Sequence, residues 1–128
     1  MKIIDSSAII KFFSKEPGWE LVEKHLHDSV TISLALEELG NALWKKVIRK
    51  EIALKNADLL LTLYQSTAEL VSYKEHSSRA LEIAVQERIT FYDSLFLAVA
   101  LKCKCSFVTC DMAQAKIARR LGIDVTEC

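Results

Sequence analysis

Glycine and proline are scarce in this chain, with 3 Gly and 1 Pro in 128 residues. That excludes a disordered or low-complexity protein. Net charge is missing as well: 17 Lys+Arg balance 17 Asp+Glu, for a formal +0. The chain therefore does not coat nucleic acid by bulk charge, and any such contact must come from a local patch. Long apolar runs are absent. The longest, Leu95 to Leu101, falls far short of the ~20 residues of a membrane span. Asp5 already interrupts the stretch Met1-Lys2-Ile3-Ile4, where a signal peptide would still be apolar, so a cytoplasmic location without a membrane partner is expected. There is no glycine-rich phosphate loop, which argues against a nucleoside-triphosphate enzyme. Cys103, Cys105, Cys110 and Cys128 lack the paired spacing of a zinc ribbon, and His25, His27 and His76 lie far from them. Reduced, mostly buried thiols are expected.

What is present is 51% hydrophobic and 27% charged residues. The length fits one domain, residues 1–128, that buries roughly two-thirds of its unfolded surface. Lys2 to Asp5 reads as a strand running into a helix that carries Ile9, Ile10 and Phe13. Pro17 is placed to open a second helix with Trp19, Val22 and Leu26 on one side. Val30 to Ser33 is a short extended stretch, and Ser33 a cap for a helix to about Arg49. On that helix Leu36, Leu39, Leu43 and Val47 form an apolar stripe. Glu38, Asn41, Lys45 and Arg49 form a polar one on a neighbouring face. Glu51 to Tyr64 is a helix apolar on two sides: Ile52, Ala53, Ala57, Leu60, Leu61 and Tyr64 on one, and Leu54, Leu59 and Leu63 on the other. Leu70 to Tyr73 reads as a strand. Ser77 or Ser78 caps a helix to about Arg88, and another helix runs from Tyr92 to Lys102. Ser106 to Thr109 is a strand, Ala113 to Leu121 a helix with Gly122 at its end, and Ile123 to Thr126 a last strand. Strands alternating with helices predict an α/β fold, with a central parallel sheet of about four to five strands flanked by helices.

The informative feature is where carboxylates fall. Asp5 ends the first strand, Asp111 follows the Phe107-Val108-Thr109 strand, and Asp93 lies in the first turn of a helix after Thr90. In an open parallel sheet the loops after strand ends gather along one edge, where ligands bind. Each acid alone has a plain structural explanation. Asp5 and Asp111 suit helix N-caps, Asp93 suits a first turn capped by Thr90, and Glu38 suits a solvated helix face. Together they place three or four carboxylates near one cleft, where their ionised forms repel. A divalent cation removes that conflict. An all-oxygen set without His or Cys suits Mg²⁺ or Mn²⁺ better than zinc. Such an ion lowers the pKa of a bound water and stabilises charge on a phosphate, which points to phosphodiester hydrolysis.

Ile3-Ile4-Asp5-Ser6-Ser7-Ala8, Glu38-Leu39-Gly40-Asn41-Ala42-Leu43, Thr90-Phe91-Tyr92-Asp93-Ser94-Leu95 and Val108-Thr109-Cys110-Asp111 occur in this order. Together they resemble the signature blocks of PIN-domain proteins, in particular the VapC toxins of VapBC toxin–antitoxin pairs, over essentially the whole chain. The resemblance implies a single PIN-like domain, an acidic pocket for Mg²⁺ or Mn²⁺, and endoribonuclease activity with a metal-bound water as nucleophile. It maps Asp5, Glu38, Asp93 and Asp111 onto the family's acidic quartet, as catalytic residues and metal ligands. Asp111 is a second-metal ligand or an orienting acid. Thr109, Ser7 and Asn41 take supporting positions. Lys45 and Arg49 are candidates for RNA backbone contacts. Cys110 departs from the pattern, since a small residue such as Ala is more usual there; it is expected to face the core.

The resemblance also implies an RNA substrate, a cognate VapB-like antitoxin seated in a groove near the site, and a homodimer. The two-sided helix and an exposed Phe12 are the expected interface surface. Two other classes compete. One is a catalytically silent PIN-fold module that binds RNA or a protein partner. The other is a metal-dependent phosphatase or receiver-like domain. Asp5-Ser6-Ser7 lacks the second acid a phosphatase needs two residues on, and no Lys directly follows a late strand as in a receiver.

Overall fold

The computed structural model describes residues 1–128. Four parallel strands form the sheet: β1 (Lys2–Ile4), β2 (Ser29–Val30), β3 (Ser106–Thr109) and β4 (Val125–Glu127). Their order is β2-β1-β3-β4. Seven helices surround them: α1 (Ser6–Phe13), α2 (Glu20–Leu26), α3 (Leu34–Ile48), α4 (Leu54–Thr67), α5 (Ser77–Glu87), α6 (Phe91–Cys103) and α7 (Met112–Arg120).

The inner strands are short and apolar because helices cover them. Ile3, Phe107 and Val108 are fully buried, as parallel strands require. In register, Ile4 stands opposite Val108, and the ladder extends one bond further, from the Asp5 N–H to the Val108 carbonyl at 3.1 Å. From β1 the chain crosses to β2 on one side, while β3 lies on the other. The switch point of the sheet is thus between β1 and β3, where loops diverge and leave a crevice. Helix α6 packs on both of these strands. Its residues Ser94 to Ala100 are all buried, so it is a core helix rather than an amphipathic one.

Several local expectations give way to tertiary context. Leu70 to Tyr73 is not a strand; only Leu70 pairs, as an isolated parallel bridge to Thr31. Ser33 makes no side-chain cap, because its backbone is already helical (φ −59°, ψ −26°). Ser77 is helical too, behind a 3₁₀ turn over Lys74–His76, and His76 takes the N-cap position. Helix α2 begins at Glu20, after a turn in which Gly18 has φ +88°. Helix α4 begins at Leu54, and its second face stays open: Leu54, Leu59 and Leu63 are 71%, 59% and 51% exposed. Phe12 is not exposed. It is half-buried, with edge-on contacts to Phe13 and Trp19 at 5.1 and 5.8 Å between centroids.

The cysteine expectation is also corrected. Cys110 and Cys128 are disulfide-bonded, Cys103 is exposed and Cys105 is half-buried. The cause is strand register. Thr109 stands opposite Glu127, so the next residues of β3 and β4 meet at a Cα–Cα distance of 4.4 Å. The bridge spans a sequence separation of 18, and closing a loop of that size stabilises by about 3 kcal/mol through the unfolded state. A thiol reductant should therefore lower the melting temperature by roughly 10 °C, and Cys128→Ser should lose the same amount without it. If Cys128→Ser and wild type melt alike under oxidising conditions, the bridge is not formed in solution.

Candidate active site

Asp5 is the best-determined residue of the site. It leaves β1 at the switch point and N-caps α1 with extended backbone (φ −91°, ψ 173°). Its Oδ1 accepts from the Ser7 hydroxyl at 2.6 Å and the Ala8 N–H at 3.2 Å. Its Oδ2 accepts from the Thr109 hydroxyl at 2.6 Å. Each hydroxyl has one hydrogen, and both point at Asp5. The 3.2 Å approach of the Ser7 and Thr109 oxygens is therefore a contact rather than a third donated bond. Those oxygens in turn accept backbone N–H groups, Cys110 on Ser7 at 2.9 Å and Asp111 on Thr109 at 3.1 Å. The ends of β1 and β3 are thus tied through one carboxylate. Burial pushes Asp5 up to about 6; the three hydrogen bonds act against this, and the charge of Asp93 adds to it.

The other three acids approach from separate elements. Glu38, half-buried on α3, accepts from the Ser6 hydroxyl at 2.9 Å through Oε1. Burial raises its pKa, Ser6 lowers it, and the Asp93 charge raises it again. Asp93 lies in the first turn of α6, where Thr90 Oγ1 accepts its N–H at 3.1 Å. Burial raises the Asp93 pKa, the Thr90 hydroxyl offsets part of this, and the Asp111 charge adds to the rise. Asp111 is exposed and N-caps α7, with Oδ1 accepting from the Ala113 and Gln114 N–H groups at 2.9 and 3.1 Å. Asp93 is therefore the member that feels or acts on all of the others. Mutual repulsion, the expected cause of perturbation, ranks behind burial at each buried acid.

The hydrogen bonds leave open lone pairs on Asp5 Oδ2, Glu38 Oε2 and Asp111 Oδ2. These are hard oxygen donors, and in kind they fit Mg²⁺ or Mn²⁺. In position they do not yet converge, since no three Asp, Glu, His or Cys side chains are gathered closely enough to hold one ion.

Beside the acids lies an open cavity of about 800 Å³, lined by Glu38, Asn41 and Lys45 of α3, by Arg49 at its C-cap and by Tyr92, with Glu16, Glu37 and Glu51 also on its wall. The polar stripe of α3 thus faces one space, as its spacing predicts. Asp5, Asp93 and Asp111 do not line that cavity; Glu38 is the acid shared by cavity and cluster. Two positioning residues escape sequence reasoning. Ser6 orients Glu38, although Ser7 is the serine that the signature singles out. Gln114, buried on α7, donates from Nε2 to the Asp93 carbonyl at 2.9 Å and fixes the start of α6 against α7. A polar residue at the N-terminal end of the buried face formed with Ala115, Ile117 and Ala118 is the only sequence signal for it.

A family model described as PIN domain matches residues 2–120, and the chain belongs to the PIN-domain family. It is similar to the curated protein Ribonuclease VapC3 of Pyrobaculum aerophilum, with 26% identity over 121 residues, covering 89% of this chain and 92% of that protein. Its fold matches the crystal structure of PAE2754, also from Pyrobaculum aerophilum, with a TM-score of 0.78 and 24% identity, over 97% of this chain and 89% of that one.

Proposed function

We propose that residues 1–128 form one PIN domain acting as a Mg²⁺- or Mn²⁺-dependent endoribonuclease, the toxin of a toxin–antitoxin pair. The observation that carries this reading is electrostatic. At the sheet's switch point the Asp93 charge acts on Asp5 and Glu38 and the Asp111 charge acts on Asp93, and burial first, then this repulsion, holds Asp5, Glu38 and Asp93 above the ordinary carboxylate range. Carboxylates kept above their ordinary range by burial and by each other are in kind suited to a divalent cation. The similarity to a ribonuclease VapC supports the same reading.

Asp5, Glu38, Asp93 and Asp111 would hold the ion. When bound, it offsets their charge, activates water and stabilises charge on the phosphate. Ser7 and Thr109 hold the Asp5 carboxylate in one orientation, and Ser6 does this for Glu38. Asn41, Lys45 and Arg49 offer polar and cationic contacts to the RNA backbone along α3. Exposed apolar pairs one turn apart, Trp44 with Ile48 on α3 and Leu59 with Leu63 on α4, supply surface for a second copy in a homodimer and for a VapB-like antitoxin. No helix is long and apolar enough to cross a membrane.

A second reading, a PIN module that binds RNA without cutting it, is favoured by one observation: the acids are not gathered around a single point. One set of experiments separates the two. The proposal expects cleavage of some RNAs in Mn²⁺, lost on chelation with EDTA, and toxicity on induced expression that Asp5→Ala relieves. Plating efficiency reads the second effect. Equal toxicity of wild type and Asp5→Ala overturns the catalytic explanation, and inactivity on every RNA favours the binding module.

A further inference from the structure

We infer that Cys128 is a positioning residue of the acidic site: its bridge to Cys110 fixes the turn that carries Asp111, and opening the bridge with a thiol loosens that side of the site. The inference rests on the acids being the functional site. Cys110 stands in sequence between Asp111 and Thr109, and Thr109 donates to Asp5. The Cys110 N–H donates to Ser7 Oγ at 2.9 Å, and Ser7 in turn donates to Asp5. Cys128 is itself anchored to two elements. Its N–H donates to the Thr109 carbonyl at 2.8 Å, and its carbonyl accepts from Lys11 Nζ of α1 at 2.7 Å. The bridge passes this anchorage to Cys110, and from there to Asp111.

The other bonds of Asp111 are local, to Thr109 on one side and to Ala113, Gln114 and Ala115 on the other. Those within α7 move with the helix and do not fix it to the sheet. The loop that the bridge closes, with a sequence separation of 18, also contains Gln114, whose Nε2 bonds the Asp93 carbonyl. Opening the loop therefore frees the start of α7, and with it Asp111 and one support of Asp93. Cys103 and Cys105 are unbridged and precede the opposite end of β3.

A small thiol can reach the bridge. Both of its cysteines are half-buried, and Cys110 lines an open cavity of about 400 Å³ with Ser7, Lys11 and Pro17. A glutathione thiolate entering there attacks the Cys110 sulfur. The S–S bond breaks, and Cys128 leaves as a thiolate that takes up a proton. A second glutathione thiolate attacks the mixed disulfide, which frees Cys110 and forms glutathione disulfide. The two electrons come from the two glutathiones, and glutathione disulfide reverses the sequence.

The test compares oxidised wild type, wild type reduced and then freed of reductant under nitrogen, and Cys128→Ser. Mn²⁺ affinity is read well below the melting temperature, from the electron paramagnetic resonance signal of the free ion. Reduced wild type and Cys128→Ser should bind about tenfold more weakly than oxidised wild type. Glutathione disulfide should restore the wild type and leave Cys128→Ser unchanged. A bridge that serves stability alone leaves the affinity where it was, because almost none of the protein is unfolded at that temperature. Hydrogen exchange in EDTA supplies a readout without metal. The amides of residues 110–114 open locally and should exchange roughly tenfold faster in the reduced protein and in Cys128→Ser. A purely stabilising bridge would speed only the slowest core amides, such as those of Leu39 and Val99, which exchange through global unfolding. Unchanged exchange over residues 110–114 overturns the inference, and so does a measurable Mn²⁺ affinity that is equal in the two redox states. If no form binds Mn²⁺, the metal reading alone falls, and the exchange comparison decides whether Cys128 positions Asp111.

Discussion

Asp93→Asn is expected to lose cleavage by more than about 100-fold while its metal-free fold stays as stable as wild type or becomes more so. The loss follows from the position of Asp93, coupled to each of the other three acids; disturbing even a supporting partner of a metal site costs 10–100-fold as a rough measure. The stability half follows from two opposed effects. Asn forfeits a favourable first-turn charge, about 0.3–1 kcal/mol. It also removes a carboxylate that burial makes costly to ionise in the folded state, with Asp111 adding repulsion. Its folded pKa is raised, so the charged form disfavours folding at neutral pH, and Asn relieves that. Mn²⁺ at about 100 times its Kd should raise the wild-type melting temperature by roughly 10 °C, and the variant's far less. Melting curves in EDTA and in Mn²⁺, alongside single-turnover cleavage, decide it. A variant less stable in EDTA yet shifted by Mn²⁺ as much as wild type assigns Asp93 to its helix and not to the site.

The second large effect is a fall in the stability of the metal-free protein as pH rises through about 6. Asp5 moves from 3.8 unfolded to about 6 folded. The folded state keeps the proton longer, so this contribution is fully present below about pH 4 and is gone once the pH passes the folded value. With Asp5 only 5% exposed, solvent does little to soften it, and the difference is about 3 kcal/mol. Asp5→Asn cannot ionise. In EDTA near neutral pH it should exceed wild type by roughly 1–3 kcal/mol, the lower figure applying if Asn rebuilds the Ser7 and Thr109 bonds poorly. Adding Mn²⁺ should reverse the order. Glu38 and Asp93 tilt both proteins in the same sense, so the difference between the two denaturation curves isolates Asp5. Parallel curves across this pH range would mean that Asp5 is ionised at no cost, and that the cluster is not poised for a cation.

The amino-acid sequence by itself determined the elements whose signals are local. Ser106 to Thr109 is the predicted strand residue for residue, because a short apolar run between small residues has few other uses. Thr90 and Asp111 cap their helices as their types and positions predict. The stripe from Glu38 to Arg49 faces one cavity because helical spacing leaves it no choice. Order and spacing of the four acidic blocks were equally legible. Tertiary structure alone decided how those parts meet. Asp5 and Thr109 are 104 residues apart and share a 2.6 Å hydrogen bond. Only the placement of β1 beside β3 brings them together, and no periodicity encodes that pairing. Ser33 and Ser77 had the chemistry of caps and were drawn into helical backbone instead. Leu70 to Tyr73 had the composition of a strand but found one bridging partner. Cys110 and Cys128 are joined by the register of β3 with β4. In each case a local preference on the order of 1 kcal/mol gave way to the burial and hydrogen bonding of residues distant in sequence.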